Sequence, residues 1–553
     1  MSLEAHVDPE LLVKKLIMEN NIKKNQKISA QFHQAYSVKN LKLVNSLENP
    51  TSFTASKTEM PEKGLHPKIT YQLIHDDLDL DGNPTLNLAS FVNTYVPDEA
   101  KKLIKENITK NFADNDEYPI SMDIHKRCIS ILSSLWHAPD SSESAVIGSA
   151  TTGSSEAIML GGLALKKRWQ KQMKAAGKST VNPNILMGAN AQVALEKFAR
   201  YFDVEARIIP VSSESEHLMD ISKIEQNVDE NTIGIFVILG STYTGGYENV
   251  YEISRILDRI ELERGINVPI HVDGASGAMI SPFVYPNLIW DFKIPRVYSI
   301  NTSGHKFGLT SAGLGWIVWR AKEYLPKELI FQLRYLGGLE ESFTLNFSRT
   351  GYQVIHQYFN FLCYGKEGYK KIFNNCLSNA RLLSKFLEES GYFECVSSIH
   401  RPRGICHLID HGDKSVDDNL TLDDDNEKFN PGLPVVAFKF SKQFEEKYPE
   451  IPQSMVSTLL RNRGFIVPNY PLPKNEQSTE VLRIVVRYNL NLELLDKLMS
   501  DIIQITEVLI KSAEIVKKST RESGNNNTEL IYDMLLSVSS GGFHDKMRVK
   551  PKL

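Results

Sequence analysis

Between about Lys68 and Tyr364 short apolar runs alternate with amphipathic stretches, and this alternation constrains the fold more than any other feature of the chain. The runs are "ESAVIGSA", "PNILMGAN", "ARIIPV", "TIGIFVILG", "VPIHVDG", "RVYSIN" and "LGWIVWR", with helical patterns starting near Ser155 and near Gln192. Alternating strands and helices predict an α/β fold, a large and mostly parallel sheet with helices on both faces. Beyond about Gly368 the texture changes. There "KIFNNCLSNARLLSKFLEES" and "IPQSMVSTLLRNRG" have helical periodicity, while "PVVAFKFS" and "VLRIVVRY" read as strands of a smaller C-terminal α+β domain. The expected organisation is a partly helical N-terminal extension over 1–63, a large domain over 64–375, a small domain over 376–517 with a charged insertion at 401–432, and a tail over 518–553.

The 553 residues are 42% hydrophobic and 24% charged, with a formal net charge of −4. That composition is globular and gives no electrostatic reason to expect a nucleic-acid partner. The five cysteines form no CxxC pair and their number is odd, which fits reduced thiols. No apolar run is long enough to cross a membrane. The start, "MSLEAHVDPELLVKK", fits neither a secretory signal nor a transit peptide, so the expected compartment is the cytoplasm. The terminal "PKL" is a poor match to a peroxisomal SKL address. In the charged insertion Cys406, His407, His411 and "DDDNE" suggest metal ligands, yet no EF-hand pattern accompanies them, so a solvated loop and no metal are expected.

Three pieces carry chemistry. In "SINTSGHKFGLT" Lys306 follows a buried strand and is flanked by Gly304 and Gly308. Lost hydration there favours the neutral amine. In "NVPIHVDGASG" a strand ends at Asp273, where ligands of open parallel sheets bind. In "GSATTGSSEAIMLGG" a glycine turn and Ser154, Ser155 and Glu156 open a helix that its apolar sequence would bury almost all round, an N-terminus suited to an anion. Each piece alone has a plain structural reading: a snorkelling lysine, a capping aspartate, an ordinary N-cap. Together they match the needs of pyridoxal 5′-phosphate, which uses an imine-forming lysine, a carboxylate for its ring nitrogen and a phosphate cradle.

With "HVDGASG", "SGHKFG", "TTGSSEAIMLGG", "TYTGGYE", "EKFARYFDVE", "YLGGLEESFTLNFSR", "NPTLNLASFVNTY" and "NFADNDEYP", the chain resembles the glutamate decarboxylases of the fold-type I pyridoxal-phosphate family, the fungal members most closely. The resemblance runs over roughly residues 64 to 515. It implies Lys306 as the imine-forming lysine and Asp273 as the partner of the ring nitrogen. It implies Ser154, Ser155, Ser303 and His305 on the phosphate, with Ser348 reaching the phosphate of a neighbouring subunit. Gln192 would stack on the ring where aromatic-amino-acid decarboxylases carry histidine, Ala275 would pack on the opposite face, and Thr242 would lie at its polar edge. Arg483 would orient the substrate's α-carboxylate, and Ser90, Phe91, Asn111 and Asp114 would line the pocket for the distal one. Two positions depart from the family pattern: Thr350 stands where proline is usual, and Ala194–Leu195 replace a Cys–Trp pair.

The activity so implied is decarboxylation of L-glutamate to 4-aminobutyrate through an external aldimine and a quinonoid, in a homo-oligomer of at least two subunits, up to a hexamer in this family. A decarboxylase for aspartate or an aromatic amino acid is the rival within the class, and a degenerate relative kept as a binding or scaffold protein is the rival outside it.

Overall fold

The computed structural model describes residues 58–61, 64–113, 116–142, 145–333, 340–404 and 425–523. The helical pattern expected in "PELLVKKLIMENN", most of the charged insertion and the tail beyond Ser523 lie outside them. Chain contacts separate two units, Met1–Asn83 and Pro84–Leu553. The described part of the first contains helix α1 (Pro67–Leu78), opened by His66, whose ring nitrogen accepts from Lys68 N, and by Pro67 at the first helical position.

The second unit is built on a seven-stranded sheet: β1 (Ile147–Thr151), β2 (Asn184–Gly188), β3 (Glu205–Ile209), β4 (Thr232–Ile238), β5 (Ile270–Asp273), β6 (Val297–Ser303) and β7 (Gly315–Trp319). All seven apolar runs of the sequence are strands. Their order is β1-β7-β6-β5-β4-β2-β3. Neighbours from β6 to β3 are parallel, whereas β7 runs antiparallel to both β1 and β6. Because β7 reverses twice, β1 points the same way as β6, and the C-terminal ends of β1, β4, β5 and β6 share one edge. Gly315 pairs with Thr151 on one side and with Ser303 on the other. The strands are nearly continuous apolar runs because helices cover both faces.

Helices α2 (Asp98–Asn107) and α3 (Pro119–Leu135) precede the sheet, and α4 (Ser154–Ala175), α5 (Val193–Tyr201) and α6 (Val250–Arg264) connect its strands. The expectation that α4 is buried almost all round holds only for its first half. Past Leu165 only Trp169 and Met173 are buried, since "KKRWQKQMK" turns charged side chains to water. Gly161 and Gly162 let α4 lie close: a Cβ at either would come within 2.5 Å of the His271 or the Phe198 ring.

A two-stranded hairpin, β8 (Phe331–Leu333) and β9 (Glu340–Ser342), leads to α7 (Tyr352–Glu389), whose backbone breaks at Gly365 with φ 57°. The expected helix "KIFNNCLSNARLLSKFLEES" is its second half. The small sheet has the order β10-β11-β13-β12, from β10 (Phe393–Cys395), β11 (Val435–Phe440), β12 (Asn469–Pro471) and β13 (Glu480–Val485). Helices α8 (Lys442–Lys447), α9 (Ser454–Asn462) and α10 (Leu492–Ser523) complete it. The segment from Pro84 to Asn93 is stitched onto this sheet: Val485 N donates to Leu88 O at 2.9 Å and Arg487 reaches Val92 O at 2.6 Å.

Buried ionisable groups set a pH dependence of stability. Burial pushes His125 down to about 3 and His271 and His356 to about 4. In the unfolded chain they titrate near pH 6.5, so below it the unfolded state binds protons the fold refuses, and stability falls until about pH 4. Glu248 acts in the opposite sense. Burial raises it to about 7, so it keeps its proton in the fold and removes stability as pH climbs from about 4.5 to about 7. With His305, also held down to about 4, four groups against one leave at most about three net protons between pH 4.5 and 6.5, each worth ~1.4 kcal/mol per pH unit. The melting temperature is expected to fall steadily as pH drops through this window. A flat profile would mean that these histidines are hydrated in solution.

Candidate active site

Where the strand ends converge lies a cavity of about 330 Å³, lined by residues 152–156, Asn190, Gln192, Gly240, Thr242, Asp273, Ala275, Ser276, Ser303, His305 and Lys306, among others. Lys306 enters it directly after β6. Its Nζ donates to Ser276 Oγ at 3.3 Å and sits 5.3 Å from the centre of the Phe91 ring. Burial lowers the pKa of this amine. Asp273 opposes that effect and the Arg483 charge adds to it.

Asp273, only 4% exposed, ends β5. Its Oδ1 accepts from Asn301 Nδ2 at 3.0 Å and from Ala275 N at 3.1 Å. Oδ2 has no protein partner among the described residues, and Asp273 lines the cavity. Asn301 is tied in turn to His271, whose Nε2 lies 2.8 Å from Asn301 Oδ1, and His271 Nδ1 lies 2.7 Å from Ser299 Oγ. None of these three supporting residues stood out in the sequence.

The anion cradle forms at the start of α4. Ser154 Oγ and Ser303 Oγ share a hydrogen bond of 2.7 Å, so the hydroxyls of two different strand ends meet. Their closeness depends on Gly315, where a Cβ would come within 2.4 Å of the Gly153 carbonyl carbon. His305 Nδ1 accepts from Leu314 N at 3.3 Å, which leaves the proton on Nε2, and burial followed by the Lys306 charge holds the ring down to about 4. A neutral imidazole with Nε2–H is a donor suited to an anion. Glu156, which the sequence offered only as an acid in the first turn of this helix, has a further role. It accepts from Thr152 N at 2.8 Å and from the Leu345 and Asn346 amides at 3.0 and 3.1 Å, fastening the loop before Ser348 to the cradle.

Arg483 leaves β13 toward the same region. Its guanidinium donates to Thr242 O at 2.7 Å and to Ala89 O, and lies between the Phe91 and Tyr470 rings, 4.9 and 5.6 Å from their centres. Among the described residues no carboxylate pairs with it, and Nε is buried without a partner. Gln192 caps α5 through its side-chain oxygen, which accepts from Ala194 N at 2.7 Å. Ser90 Oγ accepts from Val92 N at 3.1 Å, which shapes the turn presenting Phe91. Asn111 and Ser348 do not line the cavity. They meet each other, Asn111 Nδ2 donating to Ser348 Oγ at 3.4 Å. Thr350, in place of proline, bonds through its hydroxyl to Gln353 Oε1. Asp114 lies outside the described residues.

Two clusters among the described residues approach metal-ligand spacing, His75–Asp76–Asp79 and Glu388–Cys395–His400. The second is already closed. Glu388 accepts from His400 Nε2 and from Arg401 Nη2, both at 3.0 Å, and the guanidinium disfavours a second cation there.

The donors fit pyridoxal phosphate: hydroxyls, a helix N-terminus and a neutral imidazole for a phosphate, a free carboxylate oxygen for a pyridinium, and an amine of lowered pKa for an aldehyde. Such a lysine, acid and cradle at one sheet edge define a pyridoxal-phosphate enzyme of the α/β kind. The pyridoxal-dependent decarboxylase conserved domain matches residues 65–407. A glutamate decarboxylase of Saccharomyces cerevisiae is 50% identical over 519 residues, 90% of this chain and 87% of its own length. One from Solanum lycopersicum is 44% identical over 82% of this chain and 83% of its own. The solved glutamate decarboxylase of Lactobacillus brevis superposes with a TM-score of 0.73 at 36% identity, over 82% of this chain and 95% of that one. The chain belongs to the pyridoxal-dependent decarboxylase family, on its glutamate decarboxylase branch.

Proposed function

We propose that the chain decarboxylates L-glutamate to 4-aminobutyrate and carbon dioxide, with pyridoxal 5′-phosphate in the 330 Å³ cavity. Arg483 carries the reading. A guanidinium held, among the described residues, only by carbonyl oxygens, between two rings and beside the lysine, is a buried cation with no anion among those residues, and burial of an unpaired charge is costly. An amino acid's α-carboxylate supplies the missing charge. Glutamate is the substrate indicated by relatives at 50% and 44% identity, whose names specify it.

Bound pyridoxal phosphate supplies the electron sink for the bond that breaks. This chain's residues do the rest. Ser154, Ser155, Ser303 and His305 Nε2–H anchor the phosphate, and Asp273 Oδ2 holds the proton on the ring nitrogen. Gln192, Ala275 and Thr242 confine the ring. Lys306, its pKa lowered by burial, supplies the amine that would hold the cofactor's aldehyde and move protons at Cα. Arg483 turns the α-carboxylate to the geometry in which it leaves. Ser90, the Phe91 backbone and Asn111 take the distal carboxylate, and Asp114 shares a proton with it.

Ser348 pairs with Asn111 and does not line this cavity, which supports its serving the phosphate of a neighbouring subunit in a homo-oligomer. The four described cysteines are free, in keeping with the cytoplasm as the compartment. Among the described residues no helix is long and apolar enough to cross a membrane.

The test is carbon dioxide release from amino acids in competition. A site built to bind a polar group rejects a substrate lacking it by about 10⁴ or more, because its own groups are left unpaired. Aspartate, one methylene shorter, cannot reach Arg483 and the distal pocket together. Glutamate is expected to exceed aspartate by at least about a hundredfold in kcat/KM, and tyrosine by more. Comparable rates on either would overturn the glutamate assignment.

A further inference from the structure

Directly under the cavity, β5 and β6 place four polar side chains on one face in a two-by-two array. His271 and Asp273 alternate along β5, Ser299 and Asn301 along β6, and the register sets His271 opposite Ser299 and Asp273 opposite Asn301. All four are buried, His271 and Asn301 completely. The hydrogen bonds run from one corner to the other: Ser299 Oγ to His271 Nδ1 at 2.7 Å, His271 Nε2 to Asn301 Oδ1 at 2.8 Å, and Asn301 Nδ2 to Asp273 Oδ1 at 3.0 Å.

The direction of every bond follows from the charge at one end. An ionised carboxylate only accepts, so Asn301 turns its amide nitrogen to Asp273 and its oxygen to His271. His271 must then carry its proton on Nε2 and accept at Nδ1 from the Ser299 hydroxyl. Burial pushes His271 down to about 4 and keeps the ring neutral, and its partners at the two nitrogens fix this tautomer. The fold makes room for the imidazole at some cost in choice: α4 needs Gly161 above it, and Phe236 packs edge-on at 5.4 Å.

We infer that His271 is a positioning residue for the decarboxylation, acting through Asn301 to fix the Asp273 carboxylate with Oδ2 free for the cofactor's ring nitrogen. The inference rests on the proposed cofactor site. It assigns work to groups that never touch substrate, and it accounts for a histidine enclosed where an aliphatic side chain would fill the same space without needing partners.

The experiment uses the holoenzyme and three readouts: the visible absorption band of the bound cofactor, its rate of release, and turnover. Asp273→Asn sets the reference shift of the band. His271→Leu leaves Asn301 Oδ1 buried and unpaired, and is expected to move the band toward the Asp273→Asn position and to speed cofactor release roughly tenfold to a hundredfold. His271→Gln retains an N–H at the position of Nε2 and is expected to restore the band and most of the retention. In an Asn301→Leu background, His271→Leu is expected to add less than about threefold, because the two act as one chain. A full additional effect there would overturn the inference, as would a wild-type band in His271→Leu. Should His271→Leu fail to fold, Ser299→Ala removes only the outer hydroxyl and is expected to shift the band in the same direction by less. A wild-type band and release rate in Ser299→Ala would then refute the relay. If Asp273→Asn itself leaves the band unmoved, the cofactor site as proposed fails. If Asp273→Asn moves it and His271→Leu does not, only the relay fails.

Discussion

Replacing Lys306 with alanine is expected to reduce turnover by at least about 10⁴-fold, the upper end of what a positioned proton-transfer group contributes, since the amine is also the covalent anchor. The fold should survive. Among the described residues Lys306 makes one side-chain hydrogen bond, to Ser276, and its Nζ otherwise lies 5.3 Å from the centre of the Phe91 ring. The cofactor should still bind, more weakly, because the Ser154–Ser303 pair, the α4 amides and Asp273 remain. Borohydride reduction of the wild-type protein followed by peptide mass spectrometry is expected to find the pyridoxyl adduct on Lys306 and none in Lys306→Ala. An adduct on another lysine would move the active site elsewhere.

Asp273→Asn is expected to cost at least about a hundredfold in kcat. Breaking a buried charge pair costs roughly 3–5 kcal/mol, and each ~1.4 kcal/mol lost from the transition state is about tenfold in rate. The substitution changes little in shape. An asparagine Oδ1 still accepts from Asn301 Nδ2 and Ala275 N, so loss of charge is separated from loss of structure. Circular dichroism and melting temperature should stay near wild type while turnover collapses. A variant within about tenfold of wild-type kcat would show that Asp273 does not face the ring nitrogen.

The seven strands and the main chemistry were legible because both are local. A strand declares itself in a handful of apolar residues, and "SGHKFG" carries its lysine and glycines within six positions. Register is a different kind of information. Asn301 and Asp273 lie 28 residues apart, and alternation along each strand shows which side chains share a face but not which pair across the gap. Glu156 read as an ordinary first-turn acid because its second set of partners lies 189 and 190 residues away. The reversal of β7 was also hidden, since "LGWIVWR" looks the same in either direction. The three-residue strands β10 and β12 are too short to show a period, and the front half of α7 was masked by the break at Gly365. Asn111 and Ser348, named from resemblance alone, were brought together by a contact spanning 237 residues.

The place of β7 between β1 and β6 also orders events during synthesis. In the large sheet β1 is an edge strand, and among the described residues it pairs with β7 alone. Residues 147–155, which carry half of the phosphate cradle, leave the ribosome long before residues 315–319, and until those emerge β1 has no strand to pair with in this sheet. Domains generally fold as units, and here the first strand of the sheet in the sequence is held by the last. A nascent chain stopped before Trp319 holds Asp273 and Lys306 but no closed cradle. A chain ending there is therefore expected to bind inorganic phosphate or the cofactor far more weakly than the full chain, because the strand that joins the two halves of the cradle is missing.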